Sequence, residues 1–217
     1  MYKTVVFDLD GTLLNTLTDL ADAGNRLCRK YGWPTHERQA YRYFVGNGIP
    51  KLVERLAPAD QRTPAVLEAA LADFKRDYGQ HLRDTTAPYP GIPEMLAKLK
   101  ANGVQLAVFS NKADALAKEV VKDYFGTQYF TIVRGQMTGV APKPAAEGTN
   151  ALLQVLHADP ASTLYVGDSN VDVETAHNAN LPCCGAVWGF RTREELNAAG
   201  AEYLAENSDE LYDVIMK

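Results

Sequence analysis

The sequence predicts an α/β fold, a Rossmann-like doubly wound parallel sheet interrupted by an all-α insert, and three observations carry that expectation. Short β-branched and aromatic runs alternate with helical patterns over the C-terminal two-thirds of the chain, the signature of parallel strands joined by helices. Between Thr16 and Asp84 the periodicity is helical throughout and no strand-like run interrupts it. The length, 217 residues, is roughly 1.4 times a typical domain of about 150, which suits one domain carrying a sizeable insertion.

Taken in order, Thr4 to Leu9 (TVVFDL) reads as a first strand buried on both faces and closed by Gly11. The insert follows, with helices expected at Asp19 to Tyr31, His36 to Phe44, Pro50 to Leu56 and Pro64 to Leu82, punctuated by Gly32, Gly46-Asn47-Gly48 and Pro58. Further strands are expected at Val104 to Phe109, Tyr129 to Val133, Thr163 to Val166 and Cys183 to Trp188, with a short edge strand at Tyr203-Leu204. Helices separate them at Pro93 to Ala101, Ala113 to Tyr124, Glu147 to Leu156 and Asn170 to Asn180. The last helix, Ser208 to Met216, has Ser208 as its expected cap. These bounds place a core domain at 1–14 and 87–217 and a helical domain at 15–86.

Hydrophobic residues make up 46% and charged residues 23%, which excludes a disordered, collagenous or coiled-coil chain. The balance of 22 Lys and Arg against 27 Asp and Glu gives a net charge of −5, so no overall field attracts nucleic acid, and an anionic ligand needs a locally positive site. Cys28, Cys183 and Cys184 form neither a metal-type pair nor an even disulfide set, and are expected to be small buried hydrophobes in a reducing compartment. The N-terminus enters a strand directly, without the pattern of a signal peptide, and no apolar run is long enough to span a bilayer. A cytoplasmic location without membrane contact is the expectation. His36, His81, His157 and His177 lack metal-ligand spacing.

Chemistry-bearing residues fall at the predicted strand ends, where open α/β sheets bind ligands. Asp8 and Asp10 flank Leu9, two apart and about 6.6 Å along a strand, a gap that accommodates a phosphoryl group; Asp-Gly is equally an ordinary turn. Ser110-Asn111-Lys112 closes the second strand, where the next helix is expected to begin and offer free N–H groups to an anion; Ser110 also suits a plain cap. Lys143, between Pro142 and Pro144, is presented by a stiffened loop. Asp168 and Asp172 follow the fourth strand one helical turn apart, where either is also a possible cap. Four carboxylates brought together (Asp8, Asp10, Asp168 and Asp172) stay ionised only beside a cation, and hard oxygen ligands select Mg²⁺.

In that order, FDLDGT, SNK, the lysine of APKP and GDSNVD resemble the four motifs of the haloacid dehalogenase superfamily of phosphatases, over essentially the whole chain. The resemblance implies Asp8 as nucleophile and Asp10 as general acid and base. It implies Ser110 and the Asn111 backbone as phosphate ligands, and Lys143 as the neutralising cation. Asp168 would complete a Mg²⁺ site with Asp8 and the Asp10 backbone carbonyl, while Asp172 would act on that site or orient the lysine. Asn15 and Ala146 depart from the family pattern, which often has an acidic residue and a second proline there.

The insert resembles the family's C1 cap, which governs substrate choice. Phe44 to Gly48, followed by Lys51 and Arg55, resembles the cap segment of phosphoglycolate phosphatases, and Trp188-Gly189-Phe190 an aromatic-glycine turn of that group. Gly48, Lys51 and Arg55 are thus candidate substrate contacts, although Gly46-Asn47-Gly48 is first a helix–helix turn and both cations also suit a solvated face. The expected substrate is a small phosphorylated acid, with 2-phosphoglycolate foremost, and the expected protein is a monomer or homodimer. A phosphohexomutase, a metal-free dehalogenase and a non-catalytic phosphate-binding module are the rival functions.

Overall fold

In the computed structural model, which describes residues 1–217, the first strand is Thr4–Phe7 (β1), followed by the two-residue strand Leu14–Asn15 (β2). Four helices come next: Leu17–Tyr31 (α1), Arg38–Phe44 (α2), Ile49–Leu56 (α3) and Pro64–Gln80 (α4). Ala87–Pro88 (β3) pairs with β2 in a separate ribbon. The remainder alternates: Ile92–Ala101 (α5), Gln105–Ala113 (β4), Asp114–Phe125 (α6), Phe130–Gln136 (β5), Ala146–Leu156 (α7), Thr163–Gly167 (β6), Asn170–Asn178 (α8), Cys183–Ala186 (β7), Arg193–Ala199 (α9), Tyr203–Ala205 (β8) and Ser208–Met216 (α10).

The six main strands form one parallel sheet in the order β5-β4-β1-β6-β7-β8. The chain leaves β1 toward β4 and β5, then returns to β6 on the other side and continues outward. The topological switch point therefore lies between β1 and β6, where such sheets open a crevice beyond the strand ends. Register aligns Val6 with Ala107 of β4 and Tyr165 of β6. These three enter one apolar cluster with Leu152 and Leu156 of α7 and Val173 and Ala176 of α8. Every residue of β1 is buried, as its continuous apolar run predicts for a central strand covered on both faces.

The chain divides into two compact units, Met1–Asn15 with Pro88–Lys217, and Thr16–Ala87. Within the helical unit, Tyr41, Phe74 and Tyr78 are fully buried, the Phe74 and Tyr78 rings lying 5.6 Å apart. A Cβ on Gly24 would collide with the Tyr41 ring, so glycine lets α1 and α2 approach closely. Asp19, buried in the first turn of α1, accepts from the end of the same unit: from Thr85 N–H (2.9 Å) and Oγ1 (2.6 Å), and from Thr86 N–H (2.9 Å) and Oγ1 (2.7 Å).

Several local expectations shift. The second main strand extends through Ser110-Asn111-Lys112 to Ala113, which pairs with Gln136, so the next helix starts only at Asp114. The cap of α10 is Asn207, whose Oδ1 accepts from Asp209 and Glu210 N–H (3.1 and 3.0 Å), and Ser208 is the first helical residue. The fourth insert helix ends at Gln80 instead of Leu82, and α8 at Asn178 instead of Asn180, which turns with φ 56°. Helix α9 and the ribbon of β2 and β3 were outside the expected elements. All three cysteines are buried free thiols, with burial pushing Cys28 up to about 11 and Cys184 up to about 12. No helix is long and apolar enough to cross a membrane.

Candidate active site

The first strand delivers Asp8 one residue beyond its end, where the Asp8 N–H still donates to Val166 O of β6 (2.8 Å). The backbone then turns sharply: Leu9 O accepts from the N–H groups of Thr12, Leu13 and Leu14 at 3.3, 3.0 and 3.0 Å. Gly11 has φ 92° at that turn, and a Cβ on it would run into the Asp168 carboxylate, so the second half of DxDG is required by geometry on two counts. Because the strand stops at Phe7, Asp8 and Asp10 do not share a strand face. Asp8 turns into the crevice, and Asp10 turns toward Lys112.

Asp168 leaves β6 from the adjacent strand end and is fixed from two sides. Its Oδ1 accepts from Thr12 Oγ1 (3.0 Å) and its Oδ2 from Phe190 N–H (2.7 Å). Side chains on Gly11 or Gly189 would fill the space it occupies. Trp188 Nε1 donates to Thr12 O (3.0 Å), tying the Trp-Gly-Phe turn to the first loop. Asp172 is the third helical residue after Ser169 in a capping box, its Oδ2 accepting from Ser169 N–H (3.1 Å) and Oγ (2.6 Å).

Lys143, 2% exposed, inserts its ammonium among these groups. Nζ lies 2.9 Å from Asp8 Oδ1 and donates to Asp172 Oδ1 (2.7 Å), Tyr165 OH (3.2 Å) and Phe109 O (3.4 Å). Burial alone would lower the Lys143 pKa, but the Asp172 and Asp8 carboxylates hold it well above the usual lysine value. Burial pushes Asp8 up to about 6 against the pull of Lys143, with Asp172 adding to the rise. Burial, then Asp172 and Asp8, also raise Asp168 well above the ordinary carboxylate range. One ammonium is too little compensation for three crowded carboxylates.

Oxygens of Asp8, Asp168 and Asp172 lie within 4.8 Å of one another, all buried. Asp8 Oδ1, although beside the ammonium, has no aligned hydrogen-bond donor. An all-oxygen, acidic, desolvated donor set of this kind fits a small hard divalent cation. The fourth expected member stands apart: the Asp10 carboxylate lies outside this group and accepts from Lys112 Nζ at 3.1 and 3.3 Å. A lysine at hydrogen-bonding distance supplies the compensation for Asp10 that the crowded trio lacks.

Ser110 and Asn111 are buried in β4, so the expectation that they open a helix is corrected: the helical N–H groups begin four residues later than Ser110. Ser110 Oγ accepts from Lys112 N–H (3.3 Å), and the Asn111 side chain grips the backbone of Lys143. In the helical unit, Gly48 precedes α3 with φ 82°. Lys51 pairs with Glu54 (2.8 Å), and Arg55 donates to Tyr43 O, Phe44 O and Asn47 Oδ1 at 3.1, 2.8 and 2.8 Å, holding the turn that precedes α3.

Sequence reasoning passed over Thr12, Lys112, Tyr165 and the Phe190 N–H. Thr12 and Lys112 stand inside the quoted motifs, and their polarity at the end of apolar strands was an available signal. Tyr165 looked like one more apolar strand residue, and a backbone donor has no sequence signal.

The comparisons with known proteins agree with this architecture. Residues 5–186 match the family model of the haloacid dehalogenase-like hydrolases. A Chromobacterium violaceum protein named phosphoglycolate phosphatase is 32% identical over 216 residues, covering 98% of this chain and 96% of its own. One of the same name from Thiobacillus denitrificans is 31% identical over 87% of this chain and 84% of its own. A crystal structure from Lactobacillus delbrueckii subsp. bulgaricus, provisionally named phosphoglycolate phosphatase, superposes with a TM-score of 0.93 at 28% identity, covering 99% of this chain and 98% of its own. A parallel sheet that gathers aspartates and two buried lysines at its strand ends, in a chain with these relatives, defines a hydrolytic enzyme. The chain belongs to the haloacid dehalogenase-like hydrolases.

Proposed function

We propose that the enzyme hydrolyses small phosphate monoesters, 2-phosphoglycolate foremost, through a phosphoryl group carried on Asp8. The observation that carries this is the Asp8–Lys143 contact of 2.9 Å inside a group of three buried carboxylates. Relatives over nearly the full chain that bear the name phosphoglycolate phosphatase support the substrate. In the first half-reaction an Asp8 oxygen attacks phosphorus, the ester P–O bond breaks, and Asp10 gives its proton to the departing alkoxide. In the second, Asp10 takes a proton from water as that water attacks the same phosphorus, releasing inorganic phosphate and regenerating the Asp8 carboxylate. Lys143 neutralises charge on the transferring group, while Ser110 and the Asn111 backbone hold its oxygens.

Mg²⁺ would be held by Asp8, Asp168 and the Asp10 backbone carbonyl, with Asp172 beside it, and would supply charge stabilisation to the phosphoryl oxygens. Both Asp172 oxygens are already engaged, one by Lys143 and one by Ser169, which favours Asp172 as the residue that orients the lysine. The division of labour between a core at 1–14 and 87–217 and a cap at 15–86 rests on the resemblance of these segments to the family. Gly48, Lys51 and Arg55 are the cap's candidate contacts to a carboxylate on the substrate. Buried, unpaired thiols fit work in the reducing cytoplasm.

A panel of phosphorylated metabolites assayed with Mg²⁺, with chelator and beside Asp8→Asn tests the proposal. Phosphate release from 2-phosphoglycolate, lost on chelation and in the variant, is the expected result; release that survives both treatments overturns it, and transfer to a sugar phosphate would identify a mutase. On the same panel, Lys51→Ala and Arg55→Ala should raise KM for phosphoglycolate more than for an ester lacking the carboxylate.

A further inference from the structure

The second buried lysine of the site has no part in the chemistry above. Lys112 Nζ approaches both oxygens of Asp10, at 3.1 and 3.3 Å, and the side chains are only 2% and 14% exposed. The partners are 102 residues apart in sequence, and Lys112 sits near the end of β4, the neighbour of β1. The strand itself therefore aims the ammonium at the loop after β1. Asp10 lies beyond the sharp turn at Leu9, outside the sheet ladder, so its carboxylate needs an outside contact to fix its orientation. The three-carboxylate group draws on Lys143, leaving Lys112 as the cation assigned to Asp10.

We infer that Lys112 is a positioning residue that holds the Asp10 carboxylate in line for proton transfer and keeps it apart from Asp8, Asp168 and Asp172. Two contacts to one carboxylate fix its plane as well as its location. Proton transfer is sensitive to both, and a misplacement of about 1 Å costs on the order of 10²-fold in rate. Substrate and phosphate binding do not run through this pair. With a substrate whose leaving group needs no acid, its loss is expected in kcat and not in kcat/KM. This inference rests on the proposed roles of Asp8 and Asp10.

The test uses p-nitrophenyl phosphate, whose leaving group departs without an acid, so that a defect in Asp10 falls on the second half-reaction alone. Lys112→Met, Asp10→Asn and the double variant are compared in rapid-mixing and steady-state assays. Expected for Lys112→Met are a kcat lowered by roughly 10²-fold, a KM that falls with it so that kcat/KM stays within about twofold, and a burst of p-nitrophenol marking the phosphorylated enzyme. The double variant should be no slower than Asp10→Asn, and Lys112→Arg should recover part of kcat. Should Lys112→Met fail to fold, Lys112→Gln, which keeps one donor toward Asp10, is judged by the same comparison. A kcat within threefold of the parent, or losses that multiply in the double variant, overturns the role of Lys112. Full activity in Asp10→Asn would instead overturn the role of Asp10 itself.

Discussion

Asn111 clasps Lys143 by its backbone, Oδ1 accepting from the Lys143 N–H at 2.8 Å and Nδ2 donating to its carbonyl at 3.2 Å. The resemblance gives phosphate to the Asn111 backbone, and the side chain is committed to the loop that carries the buried ammonium. Paired bonds of this kind reproduce one rung of a sheet between a strand end and a loop, and set where the lysine enters the site.

Replacing Asn111 by Ala therefore withdraws the support of Lys143 without touching its charge. The expected result is a loss of about 2 kcal/mol in stability, from two buried backbone groups left unpaired, and a kcat lowered by roughly 10²-fold. Denaturant titration beside steady-state kinetics checks both. Unchanged stability with a raised KM would mean that the side chain faces substrate instead.

Acidity of the carboxylate group gives a second expectation. Asp8 titrates near 6 in the folded protein against an ordinary value of 3.8, raised by burial, so between these values the metal-free folded state holds a proton that the unfolded chain has released. Stability of the metal-free protein from this group falls as pH rises through that window. Mg²⁺ takes ionised carboxylates and competes with that proton, so its binding strengthens over the same interval. At a Mg²⁺ concentration about 100 times its dissociation constant at neutral pH, thermal unfolding should show about 2.7 kcal/mol of stabilisation, and much less near pH 5. Equal stabilisation at both pH values would contradict a carboxylate site.

The Asp19 node predicts a defect confined to the helical unit. Asp19→Ala strands four donors of Thr85 and Thr86, two of them backbone N–H groups, and should cost about 3 kcal/mol. Hydrogen exchange should locate the loss: amides of Thr85, Thr86 and the first turn of α1 exchange faster, while those of β1 and β6 keep their protection. Acceleration spread evenly over both units would refute a local role.

Strands buried on both faces were legible because continuous apolar runs such as TVVF and TLYV leave few other options. The error at Ser110-Asn111-Lys112 has a physical cause. Polar residues after an apolar run imitate a helix start, whereas here the strand continues and turns them into the site. Helix α9 did carry a signal, the Thr192 to Glu195 capping box, in a segment too short for clear periodicity. The ribbon of β2 and β3 is held by two residues on each side, below any periodic signal. Site carboxylates could be read one by one from their strand ends. Their separation into a crowded trio and a lysine-paired Asp10 could not, because it depends on contacts such as Lys112 with Asp10 that only the closed sheet creates.

Strand order also has a bearing on time. β1 is synthesised early, yet its hydrogen-bonded neighbours are β4 and β6, and Asp168 meets Thr12 across 156 residues of sequence. On a chain emerging from the ribosome, the helical unit has all of its own contacts available once Ala87 has appeared. The first strand must wait unpaired until β4, the second strand of the main sheet, arrives, and the Asp8 it carries waits further for β6. Asp8, the proposed nucleophile, is thus among the first residues made and among the last to acquire its surroundings, which would keep an incomplete chain chemically silent.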